Sequence, residues 1–221
     1  MRLYLATVAA DDIRWATAAG LIDGIVATPA VLAAELPHAD PREVLGELAE
    51  RTTLPIFASV GSLDPAEIVR GAKALRKSVE HLIVAIPFVE DTLGALRTLS
   101  TTGVRCAATL VHSVAQGILA AKAGASLVVL PVDALDTVGE RTDQTVADLR
   151  AALDRSTVEC DIVVAGPANA ARFGALATAG ADAAVVTTPT LRAFLQHPLT
   201  DRGIDRFLAD VSRRTKPRRA R

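Results

Sequence analysis

The chain has 221 residues, of which 50% are hydrophobic and 22% are charged, and this balance excludes an intrinsically disordered protein. The length suits one domain with a single core. No apolar segment approaches the length of a membrane span. The apolar run among the first residues is too short for a secretory signal. Cys106 and Cys160 lie in apolar runs without metal-ligand spacing, which predicts two buried thiols in a reducing compartment. We therefore expect a cytoplasmic protein.

The net charge of −1 is unevenly distributed along the chain. Residues 213–221 contain six basic side chains and no acidic one, so the rest of the chain is acidic. We expect this segment to be a disordered tail exposed to solvent. Two alternatives are a loose contact with the body and a role in binding an anionic partner such as RNA or an acidic protein. No aromatic residues interleave with the basic ones, so we do not expect nucleic-acid binding.

Eight short apolar runs alternate with amphipathic segments, a pattern typical of parallel strands that are buried on both faces. This alternation predicts a single α/β domain with a (β/α)8 TIM barrel fold, and a doubly wound open sheet is the alternative. The predicted strands span residues 3–6, 24–27, 55–59, 82–86, 104–109, 126–130, 161–164 and 183–187.

The predicted helices begin and end at recognisable residues. Asp64 is placed to cap a helix that has Pro65 at its first position. Gly103, Gly124 and Gly180 each precede a strand, as C-terminal glycines of helices do. The predicted helices span residues 9–19, 29–36 and 41–51, the segment from Pro65, and residues 92–100, 113–123, 144–156, 169–179 and 189–196.

A further helix follows the eighth unit. Its apolar residues fall at i, i+3, i+4 and i+7, so one face requires a hydrophobic surface, which would be the chain's own barrel or a neighbouring subunit. These residues are Ile204, Phe207, Leu208 and Val211. The predicted organisation is a barrel over 1–198, a C-terminal helical arm over 199–212 and the basic tail over 213–221.

Several segments, in order and in spacing, resemble the small transaldolase and fructose-6-phosphate aldolase family over nearly the whole chain. They are residues 3–7, 24–30, 115–117, 123–125, 144–149, 199–204 and 207–210. The resemblance implies a TIM barrel that forms rings of subunits, as pentamers or decamers, with the C-terminal helix reaching onto the next subunit. It also implies aldol chemistry, in which a buried lysine attacks a carbonyl to form an iminium.

The resemblance places the family's lysine at Ala85, on the fourth predicted strand. Thr109 alone corresponds to a residue that the family keeps, a threonine that helps to hold the catalytic water. Elsewhere the family's acid, its asparagine, its polar residue on strand three and its phosphate-binding loop are replaced. The degenerate positions are Ala6, Thr28, Ser59, Ala85, Pro131 and Ala134.

These replacements lead to the hypothesis of a transaldolase-like pseudoenzyme, a structural, regulatory or small-molecule-binding subunit in carbohydrate metabolism. It would form a homo-oligomer or co-assemble with an active paralogue. We do not expect transaldolase or aldolase activity, because alanine cannot replace the amine in iminium catalysis. We expect no cofactor. We also expect no metal, because the histidines, which are common metal ligands, lie far apart in the sequence. The histidines are His38, His81, His112 and His197.

The alternative hypothesis is an enzyme with reassigned chemistry of the lyase, isomerase or cyclase type at the carboxyl ends of the strands. Asp133, with His112 or Thr109, would then move a proton. Backbone amides after Gly166 offer an anion site, which Pro167 weakens by removing one donor. The possible pocket comprises Thr28, Ser59, Ala85, Thr109, His112, Asp133, Gly166 and Thr187.

Overall fold

The structure, a computed structural model that describes residues 1–215 and their side chains as far as Arg213, is a closed barrel of eight parallel strands in chain order. The strands are β1 (Arg2–Leu5), β2 (Gly24–Ala27), β3 (Ile56–Ala58), β4 (Leu82–Pro87), β5 (Arg105–Thr109), β6 (Leu127–Pro131), β7 (Asp161–Ala165) and β8 (Ala183–Val186). Each predicted strand is confirmed to within one residue at either end. The TIM barrel is therefore confirmed, and the open sheet is excluded because β1 pairs with both β2 and β8.

Helices follow the strands on the outside of the barrel. They are α1 (Ala10–Ala18), α2 (Pro29–Glu35), α3 (Pro41–Arg51), α4 (Pro65–Leu75), α5 (Leu93–Thr101), α6 (Val114–Ala123), α7 (Val132–Thr137), α8 (Thr142–Asp154), α9 (Ala170–Thr178), α10 (Thr188–Phe194) and α11 (Pro198–Thr215). Asp64 accepts a hydrogen bond from the Glu67 N–H, which confirms it as a cap. Gly103, Gly124 and Gly180 have φ of 74°, 107° and 105° and confirm the predicted helix ends.

The short helix α7 and a 3-10 turn over Glu90–Thr92 are not predicted from the sequence. The helix begins directly after β6, with Pro131 as its N-terminal boundary residue. Because no turn residues separate this strand from this helix, the sequence offers no start signal.

The barrel interior is filled by side chains that alternate along the strands. Tyr4 of β1 packs edge-on against Phe57 of β3, with ring centroids 4.7 Å apart. The residues on the opposite faces of the strands pack against the helices instead. Since successive strand residues point to opposite sides, a residue two places after an interior residue also faces the interior. The remaining interior residues are Val26, Ile83, Ala107, Leu127, Val129, Val163 and Ala183.

Ionic contacts join the strands at the amino end of the barrel. Arg2 of β1 lies 2.7 Å from Asp161 of β7. Asp182, just before β8, accepts a hydrogen bond from the Ile162 N–H at 2.7 Å and another from Arg150 of α8 at 3.2 Å. These contacts tie β7 to β1, β8 and the helix layer.

The C-terminal helix α11 begins one residue before the predicted start and extends to Thr215. Its apolar side chains are exposed, including Leu199, Ile204, Phe207 and Leu208. The packing of this helix on a neighbouring subunit, and with it the division of the chain at residue 198, stays a prediction. Residues 216–221 of the predicted disordered tail lie outside the described residues.

Both cysteines are buried and free, as predicted. Burial in apolar surroundings raises the pKa of each thiol, Cys106 and Cys160, to about 12. Neither thiol is therefore a nucleophile near neutral pH. No helix within residues 1–215 is both long enough and apolar enough to span a membrane.

Candidate active site at the barrel mouth

A ring of small side chains surrounds the carboxyl end of the barrel interior. Each member lies two residues beyond an interior residue of the same strand and so faces the same side. Thr28 and Thr187 come directly after their strands and have extended backbone, so their side chains continue the inward and outward alternation of the strand. We call this set the mouth ring: Ala6, Thr28, Ser59, Ala85, Thr109, Pro131, Ala165 and Thr187.

The mouth ring gathers most of the positions that the sequence singles out. Ala85 pairs in register with Ala107 of β5 and retains 5% of its surface exposed, so a methyl group stands where the resemblance places the lysine. Ala134 differs from the other degenerate positions, because it lies on α7 and is exposed to solvent. The ring as a whole contains no ionisable side chain.

Two hydroxyl groups of the ring are available to a ligand. Among the described residues, the Thr28 and Thr109 hydroxyls have no hydrogen-bond partner, and both side chains are partly exposed. The other two hydroxyls are already engaged. Ser59 accepts a weak hydrogen bond from the Gly61 N–H at 3.4 Å, and Thr187 contacts the Thr190 hydroxyl at 2.9 Å.

Asp133 and Gly166, two predicted pocket residues, lie against each other at one side of the mouth. Gly166 has a φ of 76°, and a Cβ built on it would lie 3.0 Å from the Asp133 Cγ atom. The Asp133 carboxylate also accepts a hydrogen bond from the Ala134 N–H at 2.9 Å. A side chain at position 166 would be strained by the left-handed backbone and would crowd the Asp133 carboxylate.

His112 does not join this pair. Its backbone N–H donates to the Gln116 side chain at 2.8 Å, and Ser113 caps α6 as predicted. In the described part of the chain, the exposed imidazole of His112 forms no hydrogen bond or ion pair with Asp133. No contact between the two members of the predicted acid–base pair is formed in the described part of the chain, and their pairing stays a prediction.

Glu35 is a structural residue of this end that the sequence does not reveal. Its Oε2 atom accepts hydrogen bonds from the hydroxyl of Thr7 and from the N–H groups of Val8 and Ala9, at 2.9, 2.8 and 3.1 Å. The carboxylate thus satisfies donors of the segment before α1 from 26 to 28 residues away, and it fixes the first loop beside the mouth.

An ion pair and a hydrogen bond hold α7, the helix that carries Asp133, against α9 and α8. Arg172 of α9 donates from two nitrogens to the Asp136 carboxylate, and the buried Thr142 hydroxyl donates to the same carboxylate at 2.7 Å. Burial raises the pKa of Asp136, but the hydrogen bonds from Arg172 and Thr142 outweigh this effect, so the pKa lies below its usual value. The hydrogen bond to Asp136 raises the pKa of Arg172.

Metal ligands do not converge in the described part of the chain. Residues 1–215 contain no group of three or more histidine, cysteine, aspartate or glutamate side chains arranged to hold a metal ion. The mouth ring itself offers only hydroxyl, methyl and proline groups.

The sequence model of the family described as Transaldolase/Fructose-6-phosphate aldolase matches residues 7–217, almost the full length of the chain. Three relatives named "Probable transaldolase" agree with it. The protein from Desulfotalea psychrophila is 34% identical over 217 residues, which cover 98% of this chain and 100% of the relative. Those from Methanococcus maripaludis and Lactiplantibacillus plantarum are 34% and 33% identical over 95% of this chain and 97% and 96% of their own lengths.

These relatives correct the hypothesis of a pseudoenzyme. Their names point to a transaldolase-family enzyme, and reassigned chemistry of another type fits no better. The hypothesis was wrong because it judged function from a few side chains at the mouth, whereas the family match extends from β2 to β8 and over the loops between these strands. The assignment of the family's lysine to Ala85 stays a prediction. The chain belongs to the transaldolase/fructose-6-phosphate aldolase family.

Proposed function

We propose that this chain is a transaldolase-family enzyme that breaks a carbon–carbon bond beside a carbonyl group and transfers the fragment to an aldehyde. The observation that carries the proposal is the similarity of nearly the whole chain to relatives named "Probable transaldolase". Relatives this similar over full length support the same fold and the same location of the site. In barrels of this type that location is the carboxyl end of the strands, which here is the mouth ring.

The groups at the mouth are suited to holding a hydroxylated carbonyl compound. The free hydroxyls of Thr28 and Thr109 can each donate and accept a hydrogen bond. Ala6 and Ala85 add only methyl groups to this ring. Together they support binding of a small polar molecule over the centre of the barrel.

The source of an amine is the point on which the mechanism depends. An iminium requires a primary amine, and the described lysines Lys73, Lys77 and Lys122 are exposed on or beside outer helices. The fourth, Lys216, lies outside the described residues. Borohydride reduction with dihydroxyacetone, followed by peptide mapping, identifies the lysine that forms an adduct, and a trapped adduct supports the proposal.

The direct test is transfer activity. Purified protein is incubated with fructose or fructose 6-phosphate and glyceraldehyde, and products are followed by mass spectrometry. We expect a new ketose from the native chain and from Ala115→Leu, a control on the exposed face of α6. Ala85→Leu fills the mouth and should lower the rate at least tenfold. No transfer by the native chain, or equal rates for the two variants, contradicts the proposal.

We also propose that the chain is cytoplasmic and assembles with further copies of itself, as pentamers or decamers. The two free buried cysteines and the exposed apolar side chains of α11 support these two points. A hetero-oligomer with a paralogue stays a prediction. Phe207→Asp should shift the mass measured by light scattering towards that of one chain, and the native mass retained in this variant would count against assembly through α11.

A further inference from the structure

The loops that connect the strands to the helices at the mouth lack the basic side chains that an anion site commonly has. Between the end of each strand and the start of the next helix, the described loops contain no lysine or arginine. The ionisable side chains that they do contain are Asp64, Glu90, Asp91 and His112. Within these loops a phosphate group would therefore meet acidic side chains without a basic one to offset them.

In the loop after β7, an acidic side chain lies directly against the backbone. Its glycine, Gly166, is covered by the Asp133 carboxylate, whose Cγ lies 3.0 Å from the position of an added Cβ. Asn169 already caps α9 by accepting from the Arg172 N–H at 2.9 Å, and Pro167 has no N–H. A negative charge thus occupies the approach to the backbone amides that would otherwise attract an anion.

The guanidinium of Arg172, which is bound to the helix that carries Asp133, is not free to offset this charge. Arg172 lies on the first turn of α9, but two of its nitrogens are bound to Asp136 and a third is 3.7 Å from Asp143. Freeing it would break a bidentate pair that links α7 to α9. Arg172 therefore holds the loops in place, whereas the charge presented at this side of the mouth is that of Asp133.

The rim outside the mouth ring adds an apolar border. Leu63, Val89 and Leu110 follow β3, β4 and β5, and all three are exposed. Leu110 adopts a φ of 60°, which disfavours a branched side chain, and it remains 53% exposed. An apolar border beside free hydroxyls favours a small ligand with few charges.

We propose that the mouth takes an uncharged, short-chain polyhydroxy carbonyl compound and rejects its phosphate ester, with Asp133 as the residue that discriminates. As a statement about a substrate, this rests on the proposed function. Thr28 and Thr109 hydrogen-bond to hydroxyl or carbonyl groups of the ligand. The Asp133 carboxylate repels the phosphate across the mouth.

The test is a titration with fructose and with fructose 6-phosphate, followed by NMR of protein labelled at the threonine and alanine methyl groups. We expect fructose to shift the methyl signals of Thr28, Thr109 and Ala85 at lower concentration than fructose 6-phosphate does. Asp133→Asn should tighten binding of the phosphate ester about fivefold, on the order expected for two charges a few ångströms apart in water, and leave fructose unchanged. The control Asp154→Asn, at the far end of α8, should change neither affinity.

The binding readout separates this inference from the proposed function. Tighter binding of the phosphate ester than of fructose, or no gain from Asp133→Asn, overturns the inference even if transfer activity is found. Ala134→Ser, which leaves Asp133 in place, guards against a general disturbance of α7 and should keep the preference for fructose. Absence of transfer with either sugar overturns the proposed function alone, since the methyl shifts still report which sugar the mouth binds.

Discussion

The two ends of the barrel use polar chemistry in opposite ways. At the amino end, carboxylates bind neighbouring strands and helices, as Asp161 does with Arg2 and as Asp182 does with Arg150 and the Ile162 N–H. At the carboxyl end, the mouth ring carries no charge, and two of its hydroxyls have no partner among the described residues. The difference indicates that the amino end is built for stability, whereas the mouth ring keeps two hydroxyl groups available for a ligand.

The largest expected effect is on the packing of the amino end. Gly24→Ala would place a Cβ 2.6 Å from the Tyr4 ring and 2.9 Å from the Pro55 carbonyl oxygen. Because a backbone atom and a buried ring cannot both yield, we expect the free energy of unfolding to fall by about 3 kcal/mol. Urea denaturation measures this loss.

Gly46→Ala is the matched control for Gly24→Ala. No atom lies within 4 Å of a Cβ built on Gly46, which is within α3. Alanine favours the helix, so this variant should be neutral or more stable by up to about 1 kcal/mol. Equal losses in the two glycine variants would show that the contact with Tyr4 is not the cause.

The next effect tests the polar contacts of the same end. Asp182→Ala leaves the Ile162 N–H and an Arg150 nitrogen without their acceptor. We expect a loss of about 2 kcal/mol in chemical denaturation, because both donors lie in the partly buried joint between β7, β8 and α8. Asp154→Ala removes only an exposed partner of Arg150 and should cost less than 1 kcal/mol. A larger loss in Asp154→Ala would reverse this assignment.

A smaller effect concerns the ion pair between the helices near the mouth. The pKa of Asp136 is lowered in the folded chain, so its contribution to stability is present above the unfolded pKa and is lost as the pH falls through the folded pKa. Arg172→Gln removes the main cause of the shift. Between pH 7 and pH 3 the native chain should therefore lose more stability than this variant, by less than about 1 kcal/mol because the pair is partly exposed.

Arg155→Gln provides the control for the pH experiment. It removes the same charge at an exposed position at the end of α8. Its stability should follow that of the native chain across the whole pH range. A smaller pH dependence in Arg155→Gln as well would attribute the effect to net charge instead of to the pair with Asp136.

The sequence predicts those features of the fold that depend on residues close together in the chain. Continuous apolar runs locate all eight strands, and glycines such as Gly124 and Gly180 mark helix ends, because burial on both faces and left-handed backbone leave local traces. The helix α7 leaves none, since it starts directly after β6 with no intervening turn residues.

The contacts at the mouth join residues that are distant in the chain, and their partners cannot be predicted from local pattern. Glu35 meets Thr7 across 28 residues, and Arg172 meets Asp136 across 36. Asp133 and Gly166 can each be singled out as mouth residues, but their contact becomes visible only in the folded barrel. The free hydroxyl of Thr109 is likewise a property of its surroundings.

The smallest effect on stability, and the sharpest contrast with the amino end, is expected from Thr109→Val. Because the Thr109 hydroxyl has no partner among the described residues, exchanging it for a methyl group breaks no contact, and the free energy of unfolding should change by less than about 0.5 kcal/mol. Affinity for fructose in the methyl titration should nevertheless fall several-fold, by the loss of one hydrogen bond. A large loss of stability, or unchanged affinity, would place Thr109 with the structural residues of the amino end.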